Sequence, residues 1–77
     1  MWNFIGSSFG DNFVIDGIDI FKKTWIDTGR KVEVQDPLYH QKFTFTVWKI
    51  KNENKEITFA SGEFSNNVYG IYMEKNN

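Results

Sequence analysis

Cysteine is absent from this 77-residue chain, and histidine, proline, leucine and alanine each occur once. Without cysteine there is no disulfide staple and no thiolate metal site, so apolar burial has to carry the stability of a chain near the lower size limit for a single core. The shortage of leucine and alanine removes two of the residues that favour helices most. No stretch approaches the roughly 18 apolar residues of a membrane span, and the start, Met1-Trp2-Asn3-Phe4-Ile5-Gly6, has neither a basic segment nor a long apolar one. These features predict a soluble, cytoplasmic protein that does not engage membrane. Charge of one sign is lacking too. The net charge is −1, with four basic and six acidic residues in 1–36 and five basic and four acidic in 37–77. A duplex-binding protein usually carries a clear basic excess.

What the chain has instead is thirteen Ile or Val and fourteen aromatic residues. β-Branched and aromatic side chains suit a pleated, half-buried surface, so the composition predicts an all-β fold. Each buried aromatic ring removes roughly 150–250 Å² from water, which gives the aromatic content a structural use before any functional one. Eight lysines against one arginine, together with eight asparagines, fit an AT-rich coding sequence and a bacterial or phage source.

Turn signals divide the chain at regular intervals. Asp16-Gly17 stands between Phe13-Val14-Ile15 and Ile18-Asp19-Ile20-Phe21, the signature of a two-residue hairpin whose central positions need positive φ. Asp27-Thr28-Gly29 precedes the alternating run Lys31-Val32-Glu33-Val34-Gln35, and Asp36-Pro37 opens another turn. Three strands are then expected over residues 41–51, 55–64 and 68–74, separated by Asn52-Glu53-Asn54 and Ser65-Asn66-Asn67. The prediction is one domain over 1–77, a small antiparallel meander of five to six strongly bent strands. Its size would be that of an SH3-like barrel. The competing expectation takes residues 11–26 as one amphipathic helix, with Val14, Ile18, Phe21 and Trp25 on one side, packed on a four-stranded antiparallel sheet.

Two strands contain a fault in their alternation. Phe43, Phe45 and Val47 share one face, but Trp48 and Ile50 lie on the other; Ile57 and Phe59 give way to Ala60 and Phe64 in the same manner. A sheet that bends sharply at bulges or glycines explains the exchange and favours a barrel. The amino-terminal Trp2, Phe4, Ile5 and Phe9 are interrupted by Gly6-Ser7-Ser8 and Gly10. Such a segment is expected to plug one end of the barrel or to supply an apolar contact in a homodimer.

No P-loop, dinucleotide fingerprint or G-x-S-x-G motif is present. His40 lies beside a proline-initiated turn and reads as a solvated loop residue, Glu63 as a solvent-facing strand residue, and Asp11, Asp16 and Asp19 as turn residues rather than a calcium loop. The sequence therefore predicts no enzyme, no cofactor and no metal site. It predicts a non-catalytic protein-interaction or regulatory module that binds a protein or peptide partner through the aromatic 63–72 hairpin. Trp48, Glu63, Tyr69 and Tyr72 are the expected contact residues, with a shallow groove where Gly62 and Gly70 face each other. The alternative is a single-stranded nucleic-acid binder that stacks bases on Trp48 while Lys42, Lys49 and Lys51 follow the backbone.

Overall fold

Turn chemistry and strand propensity act together along this chain, and among the described residues they produce seven strands: β1 (Trp2–Ser8), β2 (Val14–Ile15), β3 (Ile18–Asp19), β4 (Ile26–Gln35), β5 (Lys42–Asn52), β6 (Lys55–Ser65) and β7 (Val68–Glu74). The computed structural model describes residues 1–75. Five strands form one antiparallel sheet in the order β1-β7-β6-β5-β4, while β2 and β3 form a separate hairpin. The radius of gyration, 11.9 Å, lies close to the roughly 11.5 Å expected for a compact chain of this length.

The Asp16-Gly17 turn forms as the sequence predicts, with φ of 51° and 77° at its two central residues. The alternative helix over 11–26 is not present. Only Ile20–Lys22 make a single 3-10 turn, and Val14 is 63 % exposed whereas Ile18 and Ile20 are buried, so the proposed apolar stripe does not share a face. Asp19 explains the local geometry. Its Oδ1 accepts from the N–H groups of Phe13 and Phe21, both at 3.2 Å, which ends the hairpin and starts the 3-10 turn.

The alternation fault turns out to mark two cores on opposite faces. On one face, Ile50, Ile57, Phe59 and Ile71 pack against Ile15, Ile18 and Ile20 from the segment that separates β1 from β4. We call this the insert face. On the other face, Val34, Phe45, Val47, Ala60 and Tyr72 form the second core, joined by Trp2, Val32, Phe43 and Phe64. Neighbouring residues in β7, Ile71 and Tyr72, are both essentially buried because each serves a different core.

The second face is concave. Three inter-strand steps of about 4.8 Å would separate β7 from β4 by roughly 14 Å in a flat sheet. Yet the Tyr72 hydroxyl, on β7, donates to the Gln35 carbonyl on β4 at 2.6 Å. Arg30 from β4 likewise lies 5.8 Å over the Trp2 ring from β1, although these strands are the two edges of the sheet. The sheet therefore coils until side chains cross the gap. Among the described residues no backbone ladder joins β1 to β4, so the closure is a side-chain one.

The amino-terminal segment is neither plug nor tail. It is the edge strand β1, paired with β7 from Trp2↔Glu74 to Ser8↔Tyr69, with a bulge between Phe4 and Gly6. Gly6 lets the Phe13 ring approach closely there, since a Cβ would lie 2.6 Å from that ring and the ring would have to shift. β4 also begins earlier than its alternating run, and a bulge between Asp27 and Lys31 interrupts it. In that bulge the Thr28 hydroxyl donates to the Val47 carbonyl at 2.7 Å, and the Asp27 carboxylate accepts from the Gly29 N–H at 2.8 Å.

Candidate functional site

The residues expected to form a partner surface do not lie together. Tyr72 is 1 % exposed, with its ring 5.5 Å from Phe4, 6.0 Å from Phe45 and 6.2 Å from Phe64. It is a core residue and is not available as an anchor. Tyr69 and Trp48 are half-buried on the insert face, where Phe21 and Trp25 connect them in a chain of rings 6.2, 5.1 and 5.6 Å apart. Both indole N–H groups in that chain are used internally, Trp25 donating to the Ile20 carbonyl at 2.7 Å and Trp48 to the Ser61 carbonyl at 3.1 Å. Glu63 is exposed and accepts from the Asn67 N–H at 3.2 Å, which supports the turn that joins β6 to β7.

Gly62 and Gly70 do pair across the hairpin, as expected, but no groove opens between them. The ring of Phe45 lies over Gly62, where a Cβ would come within 2.5 Å of it, and the ring of Phe64 lies equally close over Gly70. The molecule fills the space with its own aromatics.

The nucleic-acid set is divided as well. Alternation along β5 puts Lys42 and Trp48 on one face of the sheet and Lys49 and Lys51 on the other. Lys42 is within 3.8 Å of Glu33, and Lys49 within 4.0 Å of Glu56, so two of the three lysines also have an acidic neighbour. His40 is exposed with φ of 58° in the loop between β4 and β5.

That loop belongs to a different site, one the sequence reading missed. A cleft of about 480 Å³ opens at the hairpin end of the concave face. Phe4 and Ser7 of β1 line one side, Asp36, Pro37 and Leu38 the other, and Phe64 and Val68 contribute from the β6–β7 hairpin. Beside it Leu38 and Tyr39 are 77 % and 82 % exposed.

Hydrogen bonds fasten the loop that carries them. Buried Asp36 accepts from the Leu38 N–H with Oδ1 at 3.2 Å and from the Tyr39 N–H with Oδ2 at 3.0 Å. Its backbone N–H donates to the Gln41 carbonyl at 2.8 Å, and its carbonyl accepts from the His40 N–H at 2.9 Å. Gln35 Nε2 adds a bond of 3.0 Å to the His40 carbonyl. Pro37 fixes one further backbone angle. Large apolar side chains are thus presented to solvent on a hydrogen-bonded turn.

Asp36-Pro37 was legible as a turn, but nothing in the sequence placed that turn beside Phe4 and Phe64. No family model, curated protein or solved structure matches the chain, so the functional reading rests on this geometry.

Proposed function

We propose that the chain is a non-catalytic protein-interaction or regulatory module, which receives an apolar or aromatic anchor of a protein or peptide partner in the cleft between β1, the 36–41 loop and the β6–β7 hairpin. The observation that carries this reading is the exposure of Leu38 and Tyr39, on a hydrogen-bonded loop, beside an apolar recess. Binding normally costs the freedom of the side chains and loops it orders, and a loop already fixed by five hydrogen bonds avoids part of that cost. Interfaces also concentrate their energy in a few aromatic or aliphatic anchors set in pockets, and the cleft offers Phe4, Phe64 and Val68 for such an anchor. The hairpin expected from the sequence keeps a part in this reading, through Phe64 and Val68 rather than Glu63 or Tyr69. The cysteine-free composition suits a reducing cytoplasm.

Selection of displayed random peptides, followed by mapping of amide shifts in the labelled protein, tests the proposal. Enriched peptides should carry an aromatic or branched apolar residue and shift the amides of Phe4, Leu38, Phe64 and Val68. Leu38→Asp should weaken binding about tenfold or more, equivalent to roughly 1.4 kcal/mol or more, with little dependence on salt. Shifts confined to Lys42 and Trp48, with binding that collapses as salt rises, would sink the cleft and favour the nucleic-acid alternative.

A further inference from the structure

The two edges of the sheet are defended unequally. β4 carries Asp27, Arg30, Lys31 and Glu33, is broken by a bulge that contains Gly29 at φ 82°, and has its Gln35 carbonyl occupied by Tyr72. Charges, bulges and covered backbone groups are the usual means of keeping an edge from pairing with another chain. β1 has neither charge nor proline over its seven residues. It exposes Phe4 by 38 % and Ile5 by 41 %, and Phe9, just beyond its end, by 75 %.

We infer that β1 pairs antiparallel with β1 of a second copy of this chain across a two-fold axis, joining two five-stranded sheets edge to edge. Charge pattern selects the second copy as the occupant. A two-fold axis sets a strand against itself, so a charge near the axis meets its own like and is penalised. In the sheet, β4 carries four charged residues, β5 three, β6 three and β7 one, whereas β1 carries none. A net charge of −1 adds little long-range repulsion between copies.

The bulge limits the extent of this contact. Ile5 has no partner residue on β7, which divides the edge into 2–4 and 6–8. A short ladder of this kind is supplemented by burial of Phe4 and Ile5, and the association is weak and concentration-dependent. The contact shares Phe4 and Ser7 with the cleft lining, but Ile5 is not part of that lining and Leu38 is not part of the edge, so Ile5→Lys and Leu38→Asp tell the two proposals apart.

Sedimentation equilibrium of the intact chain from micromolar concentration to about 1 mM should show an average mass rising towards twice that of the monomer, and Ile5→Lys should weaken dimerisation about tenfold or more. Ser7→Lys, at an exposed position in the second half of the edge, should weaken it in the same direction. A wild-type chain that stays monomeric at the highest concentration overturns the inference, as does a dimer that both lysine variants leave unchanged. Amide exchange supplies a readout without mutation: β1 amides of the wild type should gain protection as concentration rises, and exchange there that ignores concentration also overturns the pairing.

Discussion

Tyr72 shows how much one side chain can hold together. Its ring packs among Phe4, Phe45 and Phe64, and its hydroxyl crosses the concave face to Gln35. Burial, and then the negative charge of Asp36, raise its pKa from 10.0 to about 12. In that window the unfolded chain releases a proton that the folded chain keeps, so the folded state is favoured less as pH rises. The stabilisation tied to this proton is complete below pH 10 and disappears as pH climbs through about 12. Tyr72→Phe should cost about 1 kcal/mol near neutrality through the lost hydrogen bond. Denaturant midpoints of the two proteins should then converge between pH 10 and 12; a gap that stays constant across that range would refute the assignment. Alternation along β7 sets Tyr69 and Tyr72 on opposite faces, but the sequence did not tell which of them would be fully covered, because that depends on how the sheet coils.

At the scale of elements, the β6–β7 hairpin depends on paired glycines for a steric reason. Gly62 and Gly70 leave room for the rings of Phe45 and Phe64, which lie 5.6 Å apart over the two strands. Gly62→Ala places a methyl group within 2.5 Å of the Phe45 ring and should destabilise by about 2 kcal/mol, the usual scale of overpacking in a filled core. Shortening the obstructing side chain with Phe45→Leu should relieve part of that strain. A double-mutant cycle by chemical denaturation is therefore expected to give a combined loss smaller than the sum of the single losses, and strict additivity would show that the ring is not what Gly62 accommodates. The hairpin boundaries were legible in advance from Asn66-Asn67 and the run Val68–Glu74, and the facing glycines were legible too. What filled the space between them was not, since Phe45 arrives from β5.

The whole molecule consists of two cores that back onto one sheet. Trp25 and Trp48 belong to the insert face and Trp2 to the concave face. Adjacent residues of β7 supply both, so neither core can be dismantled without moving the strand that serves the other. Unfolding is expected to be cooperative, with fluorescence of a variant retaining only Trp2 and one retaining only Trp48 each tracking its own circular dichroism midpoint. A tryptophan signal that departs from the backbone signal would mean that the cores melt separately. The pairing of β1 with β7 belongs to this scale as well. It connects residues at opposite ends of the described chain, from Trp2↔Glu74 onward, and a bulge obscures its pattern.

The sequence alone determined that this is a β protein with antiparallel hairpins, because local preferences suffice for that. β-Branched and aromatic runs extend the backbone, and Asp16-Gly17, Asp36-Pro37 and the asparagine turns reverse it at fixed places. It also revealed the change of face in β5 and β6. Tertiary structure decided what the change meant, since an apolar residue records that it is buried but not against what. The insert had to fold onto one half of one face before Trp48 and Ile50 could be assigned there, and the sheet had to coil before Phe4, Leu38 and Phe64 came together. Those contacts join residues far apart in the chain, where periodicity carries no information.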